Sequence, residues 1–258
     1  MLLWILSDLH FELCRGWDLP VGHAQPQFDV LVVAGDLVTR MERGVELLRR
    51  CVIDRPVVYV AGNHEFYGCD IDRTVEKARQ AAADTNVHVL QNDAVVINGV
   101  LFIGATFWTD FALYGNPELA MRRAADEMND YRKIRKNGYT ERLRPKDTLI
   151  RHLESRRFFA QAIREAQADR IVVVTHHGCV RETLRRGSEA DILSSAYVSD
   201  CPDLLGSVNL WVYGHTHEGR DFTIGQTRIV SNAKGYGPWR LGGAWENPRF
   251  DPRYVIEI

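Results

Sequence analysis

Five separate apolar runs in this chain each stop at a residue able to bind a cation. Leu2-Leu3-Trp4-Ile5-Leu6 leads into Asp8 and His10, and Val30-Leu31-Val32-Val33-Ala34-Gly35 into Asp36. Pro56-Val57-Val58-Tyr59-Val60-Ala61 leads into Gly62-Asn63-His64-Glu65, Ile171-Val172-Val173-Val174-Thr175 into His176 and His177, and Trp211-Val212-Tyr213-Gly214 into His215 and His217. Runs this rich in β-branched and aromatic residues read as buried strands. The carboxyl ends of strands in an α/β sheet form its binding crevice, so a fold in which the five strand ends share one place is expected. The Asp-x-His and His-x-His spacings put Asp8 with His10, and His215 with His217, on one face of an extended chain.

The rest of the pattern supports such a fold. Strands are expected near Leu2–Leu6, Asp29–Ala34, Val57–Ala61, Val87–Leu90, Val95–Ile97, Leu101–Ala105, Ile171–Thr175, Leu210–Tyr213, Asp221–Ile224, Arg228–Val230 and Tyr254–Ile256, and helices over Met41–Ile53, Asp70–Ala83, Glu118–Asn129 and Asp147–Ala168. Strand and helix alternate in the first half, which argues for parallel crossovers. The C-terminal part has short strands, Gly-containing turns and no long helix. The expected class is α/β, two mixed β-sheets packed as a sandwich flanked by helices. A chain of 258 residues, 45% hydrophobic, suits one such domain over 1–258.

A formal net charge of −2 forces neither a nucleic-acid nor a membrane partner. Charge is uneven, however, with twelve Lys/Arg against six Asp/Glu between Arg122 and Arg157. Cys14, Cys51, Cys69, Cys179 and Cys201 are odd in number and widely spaced, without a Cys-x-x-Cys pair, as expected of reduced thiols in a cytoplasmic protein. Met1–Leu6 lacks the basic start of a signal peptide, and no stretch approaches the roughly 20 apolar residues of a membrane span. A soluble protein is expected.

Asp, Asn and His donors without Cys suit divalent Mn, Fe, Co, Ni or Zn rather than a structural thiolate zinc. Two such ions need a bridging carboxylate to clamp the oxygens of an in-line displacement at phosphorus, and Asp36 lies centrally among the motifs. Two dications against two aspartates and neutral imidazoles leave a net positive site, which attracts phosphate and acidifies bound water. That is a hydrolase site.

Asp8-Leu9-His10, Gly35-Asp36, Gly62-Asn63-His64-Glu65, Thr175-His176 and Gly214-His215-Thr216-His217 together resemble the calcineurin-like metallophosphoesterase superfamily, in its motif order. The surroundings, Asn63-His64-Glu65-Phe66-Tyr67-Gly68 and Ser231-Asn232-Ala233-Lys234-Gly235-Tyr236, are similar to a bacterial subgroup with poorly defined substrates. The resemblance implies an α/β/β/α metallophosphoesterase fold and a dinuclear centre. Asp8, His10, Asp36 and His217 would hold one ion, and Asp36, Asn63, His176 and His215 the other. His64 would contact the phosphoryl oxygen or protonate the leaving group while metal-bound hydroxide attacks. The substrate implied is a small anionic phosphate ester or diester. A nuclease of the same superfamily, tracking nucleic acid with the Arg-rich segment, and a non-catalytic scaffold are the alternatives, in that order.

Some residues depart from the superfamily pattern or have rival readings. Where the protein-phosphatase branch places the Asp that orients its catalytic His, this chain has Thr39, so the partner of His64 is unassigned. Arg40 is either a phosphate contact or a solvated helix-start residue. Successive strand residues face opposite ways, so only one of His176 and His177 should ligate; the resemblance favours His176. His23, His88 and His152 read as surface or satisfied histidines, and Glu65 as a helix-start residue or structural partner. Residues 106–147, where the superfamily often places a cap, carry Trp108, Asp110, Tyr114, Asn129, Tyr131 and Arg132. They form either a packed excursion with a solvated basic face or an electropositive lid in which Arg132 and Arg135 select an anionic substrate. Trp239 and Trp245 either line the mouth or close the core.

Overall fold

A computed structural model describes residues 1–258. Strand and helix alternate first as β1 (Leu2–Leu6), β2 (Val30–Ala34), α1 (Met41–Cys51), β3 (Val57–Val60), α2 (Ile71–Ala82) and β4 (Val87–Val89). The antiparallel pair β5 (Asp93–Ile97) and β6 (Val100–Ala105) follows. Then come α3 (Pro117–Glu127), α4 (Asp130–Lys133), a small hairpin of β7 (Arg135–Lys136) and β8 (Glu141–Arg142), and the long α5 (Pro145–Glu165). The chain ends with β9 (Arg170–Thr175), β10 (Leu210–Val212), β11 (Arg220–Ile224), β12 (Thr227–Ser231) and β13 (Val255–Glu257).

Two mixed sheets result. One has the order β13-β1-β2-β3-β4, the other β11-β12-β10-β9-β6-β5. In each, the central strands are parallel and antiparallel strands close edges: β13 in the first, β11 and β5 in the second. Side-chain alternation then divides the apolar residues between two faces. Leu3, Ile5, Val30, Val32, Val58 and Val60 point inward and meet Phe102, Val172, Val174, Leu210, Val212 and Val230 of the second sheet. Their neighbours Trp4, Leu6, Leu31, Val33 and Tyr59 face out onto Met41, Val45 and Leu48 of α1, which are spaced to share one helix face. On the other side Ile171, Val173, Trp211 and Ile229 pack with Phe159 of α5. The order of layers is α/β/β/α.

Helix ends follow local chemistry. Asp70 caps α2 by accepting from the Asp72 and Arg73 amides. α5 starts two residues before Asp147, because Pro145 occupies its first turn and the Asp147 carboxylate accepts the Arg144 amide. All eleven expected strands occur. The β7–β8 hairpin was not anticipated: its four residues are charged and carry no apolar alternation. No helix is long and apolar enough to cross a membrane, and all five cysteines are unpaired.

Phe159 is fully buried and stacks on Phe107, centroids 5.1 Å apart. Phe159→Ala is expected to cost about 3–5 kcal/mol in urea unfolding. A loss under about 1 kcal/mol would mean that α5 does not close the outer core.

Candidate metal centre

The loops after β1, β2, β3, β9 and β10 converge at one edge of the sandwich, and the backbone there is unusual. Asp8, His10, Asp36, His215 and His217 all have positive φ, between 47° and 68°. Left-handed backbone is costly for residues with a Cβ and clusters at functional sites. These turns, rather than strand alternation, aim the paired side chains of Asp8 and His10 and of His215 and His217. Two glycines permit the close approach. A Cβ at Gly62 would strike Asp36 Oδ1, and one at Gly214 would lie 2.6 Å from Asp8 Oδ2.

Glu65 holds the loops after β2 and β3 together. It is fully buried and accepts four hydrogen bonds, from the Asp36 amide (3.0 Å), the Leu37 amide (2.8 Å), the Gly62 amide (2.8 Å) and the Tyr59 hydroxyl (2.8 Å). Burial, together with the nearby Asp36 carboxylate, pushes its pKa up to about 7. Its role is that of a structural partner.

Two groups of ligand atoms lie within 4.8 Å of one another and share Asp36. One is Asp8, His10, Asp36 and His217, and the other Asp36, His176 and His215. In the first, His10 Nδ1 meets Glu12 Oε1 at 3.3 Å and His217 Nδ1 meets Glu246 Oε2 at 2.7 Å. With both Nδ1–H groups donated to carboxylates, the two Nε2 lone pairs face each other at 3.1 Å. Asp8 Oδ1 is 3.5 Å from His217 Nε2, and Asp36 Oδ2 is 3.7 Å from His10 Nε2.

The second group is built the same way. His176 Nδ1 meets the Ala34 carbonyl (2.9 Å), which leaves Nε2 as an acceptor. The Asn63 amide nitrogen donates to Asp130 Oδ1 (2.8 Å) and to the Tyr67 hydroxyl (3.0 Å), so Asn63 Oδ1 is turned toward His176 Nε2 at 3.1 Å. His215 Nδ1 also lies 3.1 Å from that nitrogen, and Asp36 Oδ2 lies 3.5 Å from it. Acceptors facing acceptors in a buried place repel one another unless a proton or a metal cation lies between them. The donor set therefore fits divalent metal. His177 does not join it: its Nδ1 meets the Thr106 carbonyl at 3.1 Å, its ring lies against Trp108, and burial brings its pKa down to about 3.

The gap left by Thr39 is filled by Glu12. Its Oε1 lies 2.8 Å from His64 Nδ1. His64 Nε2 thus faces the centre, 4.0 Å from Asp36 Oδ2 and 3.4 Å from the Tyr236 hydroxyl. Burial works against charge on both partners. The His10 and His64 imidazoles nevertheless hold Glu12 down at about 2, and Asp36 and Glu12 raise the pKa of His64. Glu12 was missed in the sequence although it extends the Asp8-x-His10 spacing by one more step. Glu246 and Asp130 carried no such local signal. Lys234, fully buried, ties the loop bearing Tyr236 by donating to the Gly235 and Gly237 carbonyls.

Above the centre lies a cavity of about 370 Å³, walled by Tyr67, Tyr197 and Tyr236 and reached by Met128, Asn129 and Asp130 of the 106–147 segment. The electropositive lid is not found there. Arg132, Lys133 and Arg135 line a separate open depression with Tyr67, Gly68 and Tyr139. The guanidinium at the cavity is Arg185, paired with Glu246 at 2.9 Å. Arg40 is exposed at the start of α1, Trp108 is buried, Trp239 is exposed, and Trp245 packs on Trp17 and Phe250. His152 is buried against the Trp108 carbonyl.

Residues 1–219 match the family described as calcineurin-like phosphoesterase. The chain belongs to that family. Membership implies a phosphate-ester substrate, hydrolase chemistry and divalent metal. An uncharacterized protein of Acanthamoeba polyphaga mimivirus is 22% identical over 284 residues, covering 100% of this chain and 96% of that one. Among solved structures, phosphopantetheinyl hydrolase from Mycobacterium tuberculosis is similar in fold, with a TM-score of 0.63 at 18% identity over 91% of this chain and 89% of that one.

Glu65→Ala would strand three amides and a hydroxyl in the interior. A stability loss of at least about 3 kcal/mol is expected in urea unfolding. A loss below about 1 kcal/mol would show that the Glu65 bracket is dispensable.

Proposed function

We propose that this phosphoesterase hydrolyses a small organic phosphate ester or diester at a dinuclear centre. Asp8, His10, Asp36 and His217 would hold one divalent ion, and Asp36, Asn63, His176 and His215 the other. The observation that carries this reading is the pair of acceptor-rich clusters sharing Asp36 Oδ2, directly beneath a cavity large enough for a small ligand. The ions supply Lewis-acid polarisation of a phosphoryl oxygen and lower the pKa of water.

The chain's own groups do the rest. The His64 amide donates to Asp36 Oδ1 at 2.8 Å, which leaves Oδ2 free to serve both clusters. Glu12 fixes the His64 tautomer, with Nδ1–H bound and Nε2 presented to the cavity, where it contacts a phosphoryl oxygen or delivers a proton to the leaving oxygen. Asn63 contributes a neutral oxygen, so positive charge remains for the substrate. The Met128–Asp130 stretch acts as a small cap: Asp130 fixes the Asn63 amide, and its neighbours wall the cavity.

Asp36→Asn is expected to lower kcat/KM about a hundredfold or more and to reduce bound metal, measured by elemental analysis beside a substrate panel. The panel should include mono- and diesters, nucleotides and a phosphopantetheinylated protein. Full activity with intact metal would overturn the assignment. Glu12→Gln should lower kcat roughly 10- to 100-fold, with metal retained and KM little changed. Loss of metal instead would assign Glu12 to His10 rather than to His64.

A further inference from the structure

The depression beside the cavity holds a concentration of positive charge that the fold leaves unneutralised. Several basic side chains of this protein are paired with carboxylates: Arg79 with Asp93, Arg123 with Glu127, Arg151 with Asp72, Arg156 with Asp203 and Arg228 with Asp221. Even Lys136, next to Arg135, reaches Asp147 at 2.8 Å and Glu141 at 3.5 Å. The cations around the depression are held differently. Arg132 donates to the Asp126 carbonyl, Lys133 lies 4.9 Å over the Tyr67 ring, and Arg73 lies 5.9 Å over the Tyr139 ring. Asp70, which anchors the hairpin turn, is buried and fully used: Oδ1 accepts the Asp72 and Arg73 amides, and Oδ2 those of Gly138 and Tyr139.

This surface is fixed in place relative to the candidate centre. The Gly68 amide donates to the Lys133 carbonyl (3.1 Å) and the Arg135 amide to the Cys69 carbonyl (2.8 Å), which fastens the base of the β7–β8 hairpin to the loop that begins at Asn63 and His64. Tyr67 is the shared wall. Its ring is 4.2 Å from that of His64 on one side and carries Lys133 on the other, and its hydroxyl is anchored on Asp130 at 2.7 Å. Tyr67 lines both the cavity and the depression, so a ligand whose phosphate sits at His64 and that extends over Tyr67 runs toward Lys133, Arg132 and Arg135. The cavity itself offers one guanidinium, already engaged by Glu246. The positive charge free for another anion is therefore outside it.

We propose that this depression is a second anion subsite, in which Arg132, Lys133 and Arg135 bind a phosphate of the substrate other than the one being hydrolysed. Guanidinium groups suit this task because they grip phosphate oxygens in a fork. The subsite rests on the phosphoesterase reading above and narrows it, since the preferred substrate then carries at least two phosphates. Those phosphates belong either to one small molecule, such as a nucleoside diphosphate, or to successive links of a single-stranded oligonucleotide.

The test is equilibrium binding with two probes that resist cleavage, an α,β-methylene nucleoside diphosphate and a short phosphorothioate oligothymidylate, with inorganic phosphate as reference. Arg132→Gln/Lys133→Gln, both exposed positions, should weaken one or both probes about tenfold relative to its effect on inorganic phosphate. For the oligonucleotide, the log–log salt slope should fall by about 0.7 for each phosphate contact removed. The probe that loses affinity identifies the source of the second phosphate. Equal weakening of all three ligands, or of none, overturns the subsite. Arg135→Gln, the third cation of the depression, is the second variant should the double substitution unfold, and its effect on the three ligands is read in the same way. Binding that behaves as expected while no ester is hydrolysed would leave the subsite standing and remove the enzymatic reading.

Discussion

The buried Asp36 carboxylate is the constraint on which the site depends. Oδ1 is committed to the His64 amide and Oδ2 faces imidazoles from two different sheets. A carboxylate can sit there only because Glu65, also buried, grips the amides of Asp36, Leu37 and Gly62 and so fixes the turn after β2 against the turn after β3. Gly62 in turn leaves the space that a Cβ would take from Asp36. Two acids from neighbouring turns thus divide their work: Glu65 shapes the backbone, and Asp36 faces the imidazoles. The left-handed residues at Asp8, His10, Asp36, His215 and His217 are strain that this network keeps in place.

Around that centre, three of the four imidazoles have one nitrogen directed by a fixed partner. Glu12, Glu246 and the Ala34 carbonyl occupy the Nδ1 positions of His10, His217 and His176. Glu12 serves twice, since the same oxygen also meets His64. Fixed tautomers leave lone pairs with no donor to satisfy them, which is the electrostatic form of an affinity for cations. Asp130 extends the scheme to Asn63, linking the segment between β6 and α5 to the ligand atoms.

Much of this was legible in the sequence. Buried strands alternate faces in a parallel sandwich, so apolar runs near Val30, Val57 and Ile171 gave their strands away, and the polar residue after each run marked the shared edge. The helices starting near Met41 and Asp70 showed as helical patterns between the strands. What was not legible depends on contacts across long sequence distances. Glu246 is 29 residues from His217 and Asp130 is 67 from Asn63, and no local spacing announces such pairs. The β7–β8 hairpin was hidden because charged residues held by backbone bonds leave no apolar period. The basic run of that segment was visible as charge, but its location beside the cavity rather than over it depends on Gly68 and Cys69 pairing with Lys133 and Arg135. Glu12 was the one partner within reach of a local reading.

In the proposed centre, two cations share Asp36. Anomalous scattering from crystals soaked in manganese tests it most directly. Two peaks are expected, one among Asp8, His10 and His217 and one among Asn63, His176 and His215, with Asp36 contacting both. A single peak, or ions seated away from Asp36, would contradict the account.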